Sequence, residues 1–269
     1  MKSQSGKSWA RAGALALALA CSATGHAAAA DPITIVNAGF EDTTGGIPFN
    51  EFTFGAPFGW SLYDPFNITG GGTGPVYWVG TLQPTPPTFF TTGAPEGTRV
   101  GIAFNFFGSG NQGEYGLEQT LTDVLLPNSL YTLTVEIGNI ASGTALNGDF
   151  FNLDGFPGYR VDLLAGGVVL ASDNNSLAGL IPEGEFVTSS FAFETGGFHP
   201  QLGQALGIRL VNLNVVDSAF PLADLEVDFD DVRLTVTAIP EPTTLALLSV
   251  TGLYWLRRSG RRLPELDGD

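Results

Sequence analysis

"LEVDFDDVRLTVT", residues 225–237, decides how the chain is read. Apolar and polar residues alternate along it, the period of a half-buried β-strand. Alternation puts Asp228 and Asp230 on one face and Asp231 on the other. Working back from this closing strand, the same signal recurs. "LYTLTVEIGN" sets Tyr131, Leu133, Val135 and Ile137 on one face, and "EFVTSSFAFET", "GIRLVNLN", "TRVGIAFNFF" and "ITIVNAGF" are further strands. "YRVDLLAGGVVLAS" reads as a hairpin about a two-residue Gly166-Gly167 turn. Eight or more short strands joined by Gly, Pro and Asn turns predict an all-β fold, an antiparallel β-sandwich of the jelly-roll kind. The first and last strands are both strong and are expected to pair. That would bring Glu41, at the end of strand one, beside Asp228, Asp230 and Asp231. One long Pro-rich loop, residues 81–97, is expected to shape the rim of a pocket.

Composition narrows the function. Between Asp31 and Ile239 there are 23 Asp or Glu against four Arg and no Lys, a formal charge of −19. Such a surface repels nucleic acid and anionic lipid and attracts hard cations, so nucleic-acid binding is excluded. The stretch is long enough for one domain with its own core. Only His199 stands in it, beside Pro200, and it holds no Cys, so a Ser-His-Asp triad, a thiolate site or a His-rich zinc site is not expected. Carboxylates are the remaining chemical resource. Several at one place repel unless a cation sits among them, and Ca²⁺ takes six to eight oxygens, backbone carbonyls included. Trp60, Tyr63, Tyr77 and Trp78 are read as lying in Gly-rich loops, with Trp60 plugging one end of the sandwich and Tyr77 and Trp78 placed to stack on a ligand.

The two ends have a different character. Lys2, Lys7 and Arg11 precede an apolar run over 12–20, and small residues follow it, with A-x-A choices ending at Ala29 or Ala30. Residues 1–30 are therefore expected to be a secretory signal peptide; Cys21 allows a lipoprotein as the alternative. At the other end Thr243–Leu256 is uncharged for 14 residues and is bounded by Arg257, Arg258, Arg261 and Arg262. As a helix it spans roughly 21 Å, marginal for a membrane core of about 30 Å, with the arginines held on the cytoplasmic side. Pro240-Glu241-Pro242 stands just before it. Motif, short helix and basic cluster together resemble a PEP-CTERM sorting signal. That resemblance implies recognition by an exosortase, transient insertion in the inner membrane, and delivery to the cell surface or extracellular matrix. The expected organisation is a signal segment (1–30), the sandwich (31–238) and a sorting segment (239–269).

The central part carries two further resemblances. Asn37-Ala38-Gly39-Phe40-Glu41, Gly59-Trp60, Gly116-Leu117-Glu118-Gln119-Thr120-Leu121, Tyr131-Thr132-Leu133-Thr134 and Asp228-Phe229-Asp230-Asp231-Val232 are similar to the galactose-binding-like, carbohydrate-binding-module jelly rolls. This implies a structural Ca²⁺ held by Glu41 with Asp230 or Asp231 and by the Gly39 carbonyl. "GFPGYRVDLLAGGVVLASDNNSL", "EGEFVTSS" and "LGIRLVNL…VDFDDVRLTV" resemble the calcium-dependent Stig cyclases that form hapalindoles. That implies rearrangement and cyclisation of an indole–isonitrile terpenoid, with Asp228 as general acid in an aromatic pocket and Asp230 on calcium. The family's pocket tyrosine falls in the strand Gly101-Ile102-Ala103-Phe104-Asn105, where Phe104 is the aromatic present. Two functions follow. The first is a Ca²⁺-stabilised surface or matrix protein that binds polysaccharide or a small apolar ligand. The alternative is a cyclase.

Overall fold

The computed structural model describes residues 29–74, 76–106 and 113–239. The expected leader over 1–28 and the sorting residues Pro240, Glu241, Pro242, Arg257 and Arg258 lie outside the described residues. Within them the regular elements are strands: β1 (Asp31–Ile33), β2 (Ile47–Phe49), β3 (Phe52–Phe54), β4 (Ser61–Tyr63), β5 (Tyr77–Leu82), β6 (Val100–Asn105), β7 (Tyr115–Val124), β8 (Ser129–Asn139), β9 (Gly143–Thr144), β10 (Phe150–Phe151), β11 (Tyr159–Ala165), β12 (Val168–Asn174), β13 (Glu185–Thr195), β14 (Ala205–Asn212) and β15 (Leu225–Ala238). One antiparallel sheet runs β13-β8-β15-β6-β5-β3-β2, with β1 also on β15; a second runs β12-β11-β14-β7-β4, and β9 and β10 form a small two-stranded sheet. The Gly166-Gly167 turn joins β11 to β12, both glycines at positive φ (58° and 78°), as a tight hairpin of this twist requires.

The chain ends meet as expected: Asp31 pairs with Val236 and Ile33 with Leu234. The first strand, however, is only three residues long rather than the eight of "ITIVNAGF". Asn37 turns the chain. Its side chain donates to the carbonyls of Asp42 and Phe58 and accepts the Asp42 N–H, satisfying backbone groups that a ladder would otherwise take. Asn37 and Phe40 both sit at positive φ (53° and 60°). The turn drives the Phe40 ring into the core against Trp60, at 5.3 Å between centroids, and sends Glu41 back toward the surface.

Two apolar layers flank the larger sheet. Between the sheets, Tyr77, Val79, Tyr115, Leu117, Tyr131, Leu133, Ile137, Val161, Leu210, Val227 and Phe229 form the main core. On the outer face of the larger sheet, Phe52, Trp78, Leu82, Val100, Ile102 and Phe104 are covered by Phe89 and Phe90 of the Pro-rich loop and by Ile140, Phe151 and Leu153. This second layer overturns the loop placement of the aromatics. Tyr77 and Trp78 are consecutive residues of β5, and Tyr63 closes β4. All six residues of β5 are buried, because both faces of its sheet are covered; such a strand shows no alternation to read.

Candidate active site

The side chains of β15 divide between the two layers. Val227 and Phe229 enter the main core, while Glu226, Asp228 and Asp230 form a row on the opposite, outer face. Glu226 is 3% exposed, and Asp228 and Asp230 are wholly buried. Asp228 lies across from Ile102 of β6 and from Gly138 of β8. Gly138 is required there: a Cβ would come within 2.6 Å of the Phe186 ring and 2.8 Å of the Asp228 Cβ. Phe186 in turn stacks on Phe90 at 4.3 Å, roofing this part of the row. Glu226 lies across from Phe104.

Neither Asp228 oxygen nor Glu226 Oε1 meets a hydrogen-bond partner of ordinary geometry. The arginines of this domain are engaged elsewhere: Arg99 on Thr81, Gln83 and the Glu51 carbonyl, Arg160 on Glu114 and Asp162, Arg209 on Glu118 and Asp162, Arg233 on Asp231. Burial therefore raises the pKa of Asp228 far above the ordinary carboxylate range, and the neighbouring Glu226 raises it further. Burial raises Glu226 as well, with Asp224 adding to it. Two such carboxyls side by side retain a proton at neutral pH. The structure thus makes a neutral carboxylic acid under aromatic rings, the state a proton donor needs. Glu226 did not stand out in the sequence; the signal was its spacing, two residues before Asp228 on the same alternating face.

Farther along the row is a polar corner. At Asp230 the β15–β8 register shifts and Asp231 takes φ 48°, a bulge that turns the two acids apart. Asp230 accepts the N–H groups of Glu96 and Asp231, at 2.8 and 2.7 Å. Burial pushes its pKa up to about 8; the N–H groups of Glu96 and Asp231 pull it back, and the charges of those two acids push it up again by less. Gly39 closes the corner. A Cβ on it would lie 2.0 Å from Glu96 Oε2 and 3.7 Å from Asp230 Oδ1, so the Glu96 oxygen crowds the Gly39 backbone and the Asp230 oxygen lies in ordinary contact beside it. The expected ligands are only partly gathered here. Glu41 stands one loop away, its carboxylate taken up by the N–H groups of Thr98 and Arg99 and by the Thr98 hydroxyl. Asp231 is turned to Arg233, which neutralises it. Glu96, hidden in the Pro-rich loop, occupies the place the sequence reading gave to Asp231. Among the described residues no three acidic, His or Cys side chains form a metal-holding group. What does fit is the chemistry: the carboxylate oxygens of Asp230 and Glu96 and the backbone of Gly39 beside them are hard donors of the kind Ca²⁺ takes.

The aromatic residues sort by face. Tyr77, expected in a loop and placed to stack on a ligand, instead points between the sheets, 5.5 Å edge-to-face from Tyr115. Trp78 and Phe104 do lie on the outer face, stacked at 4.1 Å. Beside them a cleft of about 310 Å³ opens among Phe49, Phe52, Phe54, Trp78, Phe106 and Phe151, with Asp149 also lining it.

On this β-sandwich a row of buried acids lies under aromatic rings. The comparisons with known proteins give the family. The family model described as HpiC1 cyclase matches residues 31–235, and the chain belongs to this HpiC1-like cyclase family. A crystal structure of a cyclase from Fischerella sp. TAU is 41% identical, with a TM-score of 0.65, over 79% of this chain and all of that one. The Stig cyclase Fisc from the same source, in complex with (3Z)-3-(1-methyl-2-pyrrolidinylidene)-3H-indole, is 40% identical with a TM-score of 0.65, over 79% of this chain and all of its own. A Fischerella cyclase bound to 4-(1H-indol-3-yl)butan-2-one is 40% identical with a TM-score of 0.64, over 78% of this chain and 99% of its own. No curated protein matches. The primary expectation of a polysaccharide-binding surface protein gives way to the alternative, since relatives similar across their whole length are cyclases and the outer-face aromatics are packed over acids.

Proposed function

We propose that the domain is a Stig-type cyclase that closes rings on a largely apolar, indole-bearing substrate, with Asp228 as general acid. One observation carries this: both oxygens of Asp228 are buried under aromatic rings, and the one polar group its pKa shift places beside them is a second buried carboxyl, Glu226. Two relatives are solved with indole-bearing ligands, which supports that substrate class.

The chemistry follows from the surroundings. A carboxyl kept neutral by burial can hand its proton to an electron-rich carbon or ring nitrogen, and the charge left behind is shared with Glu226 through the remaining proton. The substrate cation forms against the faces of Phe104, Trp78 and Phe186, whose quadrupoles stabilise positive charge. Dry walls keep water from intercepting it. When the ring-closed cation loses a proton, the pair takes one back, so the product is an isomer of the substrate. Reaching Asp228 requires the Phe90–Phe186 roof to part.

Calcium, implied by the family resemblance, would be held by Asp230, Glu96 and the Gly39 carbonyl. Its role there is structural: it would neutralise a buried charge and tie the 38–41 and 96–99 loops to the β15 bulge, with Glu41 bracing the second loop. Export and exosortase sorting remain the reading of the chain ends, testable by fractionating cells for a processed form. The cyclase reading is tested by turnover of an indole-bearing terpenoid with wild type and Asp228→Asn. Turnover should fall by 10² or more in the variant; undiminished turnover rejects the role of Asp228.

A further inference from the structure

Both ends of the described chain leave the sandwich at one place. β1 begins at Asp31, paired with Val236 near the close of β15, and β15 stops at Ala238. The next residue, Ile239, donates its N–H to the Asn128 carbonyl at 2.7 Å. Asn128 donates its own N–H to the Gly196 carbonyl, and the Thr195 hydroxyl donates to the Leu126 carbonyl at 2.7 Å. The chain exit, the 125–128 loop and the 196–203 loop are thus laced into one end of the sandwich. That end is apolar where it meets solvent. Phe198 is 97% exposed, and Val124, Leu126 and Val168 are exposed with it. Val168 follows the Gly166-Gly167 turn, whose Gly166 N–H donates to the carbonyl of Ala205, the residue opposite Val124. The loop that carries Phe198 is anchored. His199 lies edge-on to Phe193 at 5.6 Å, accepts the Gln201 N–H at Nδ1, and accepts the Leu202 N–H at its carbonyl. The ring of Phe198 therefore stands in water on a held backbone. Asp31, Asp123 and Glu194, the exposed charged groups on the strands that end here, are all acids.

We propose that this end is a membrane-contact face, seated on a zwitterionic phospholipid surface with Phe198 and Leu126 in the interfacial layer. The inference rests on the membrane reading of the uncharged 243–256 run and is independent of the cyclisation reading. That run starts four residues beyond Ile239, a reach of at most roughly 14 Å. Insertion on so short a tether brings this end of the sandwich against the bilayer. Ring and aliphatic side chains gain by leaving water there, while the three acids select neutral headgroups over anionic ones. Asp228 lies ten residues before Ala238 on β15, roughly 30 Å along the strand, so the candidate active site stands clear of the lipid.

The test uses the full chain. Cys21 is its only cysteine, so a Cys21→Ser background takes one label at a chosen place. An environment-sensitive dye is attached at Phe198→Cys or at Leu180→Cys. Leu180 is 65% exposed at the opposite end, next to Ile181, whose carbonyl accepts from the side-chain amide of Asn139. Each protein is floated with phosphatidylcholine vesicles, with and without brominated acyl chains. Both should float. The dye at 198 should shift to the blue and be quenched by bromine severalfold more than the dye at 180. Phe198→Glu, at a position where folding is not at risk, should lower the vesicle partition coefficient about tenfold. A chain that floats with the two dyes alike, or a Phe198→Glu protein that partitions as wild type does, overturns the proposal and leaves the reading of the tail standing. A chain that does not float overturns both. A blue shift at 198 that appears without vesicles and grows with protein concentration assigns the face to a second copy and overturns it too.

Discussion

Chelation should make this protein's stability depend steeply on pH, and Asp230 sets much of the slope. Its pKa rises from an ordinary 3.8 to about 8 in the folded chain because the carboxyl is buried beside Glu96 and Asp231. Below about pH 4 both folded and unfolded states hold the proton and the site costs nothing. As pH rises, the unfolded chain gives up its proton while the folded one keeps it, so stability is lost until the pH passes about 8. Each pH unit in that window costs about 1.4 kcal/mol. Between pH 5 and pH 7 the loss is roughly 2–3 kcal/mol, or roughly 5–10 °C in Tm for a domain of this size. Saturating Ca²⁺ takes the ionised form and should flatten or reverse the slope. Differential scanning calorimetry in EDTA at pH 5, 6 and 7, on wild type and Asp230→Asn, measures it. The variant should lose about the share calculated here, while Glu226 and Asp228 leave a slope of the same sign and at least comparable size. A wild-type Tm in EDTA that is flat from pH 5 to 7, or an Asp230→Asn slope equal to wild type, refutes the reasoning.

Three further outcomes follow from the same geometry. Gly39→Ala should push the Glu96 carboxylate aside and weaken Ca²⁺ binding about tenfold or more in a calcium titration, with little change in the apo melt. Gly138→Ala should cost roughly 1–3 kcal/mol in denaturant unfolding, since the new Cβ meets both Phe186 and Asp228. Glu226→Gln removes the neighbour that holds the proton on Asp228, so the high-pH limb of the activity profile should move to lower pH while the low-pH rate is retained.

Much of the fold could be read in advance wherever one face of a strand is wetter than the other. β8, β13 and the β11–β12 hairpin alternate visibly, and the pairing of β1 with β15 was expected from the strength of the two ends. β5 could not be read that way: Tyr77, Trp78 and Val79 are consecutive apolar residues on a strand buried on both sides, and neighbouring glycines made them look like a loop. "ITIVNAGF" misled in the other direction, because Asn37 captures backbone groups and stops the strand after Ile33. At the site, Asp228 and Asp230 were visible as a pair on one face. Glu226 was indistinguishable from a solvated acid until Phe104 and the 140–154 segment were seen to cover that face. Glu96 enters through a contact 134 residues along the chain, which no local pattern encodes.

The account rests on Asp228 donating a proton in a dry aromatic setting. Its most direct test is a mass-balanced turnover assay: full-length protein with Ca²⁺ and an indole-bearing terpenoid isonitrile, wild type against Asp228→Asn, with circular dichroism confirming the variant's fold. Wild type should yield a ring-closed isomer of unchanged mass, and the variant should be slower by a factor of 10² or more. Equal rates for the two proteins, or a wild type that returns the substrate unaltered, would contradict it.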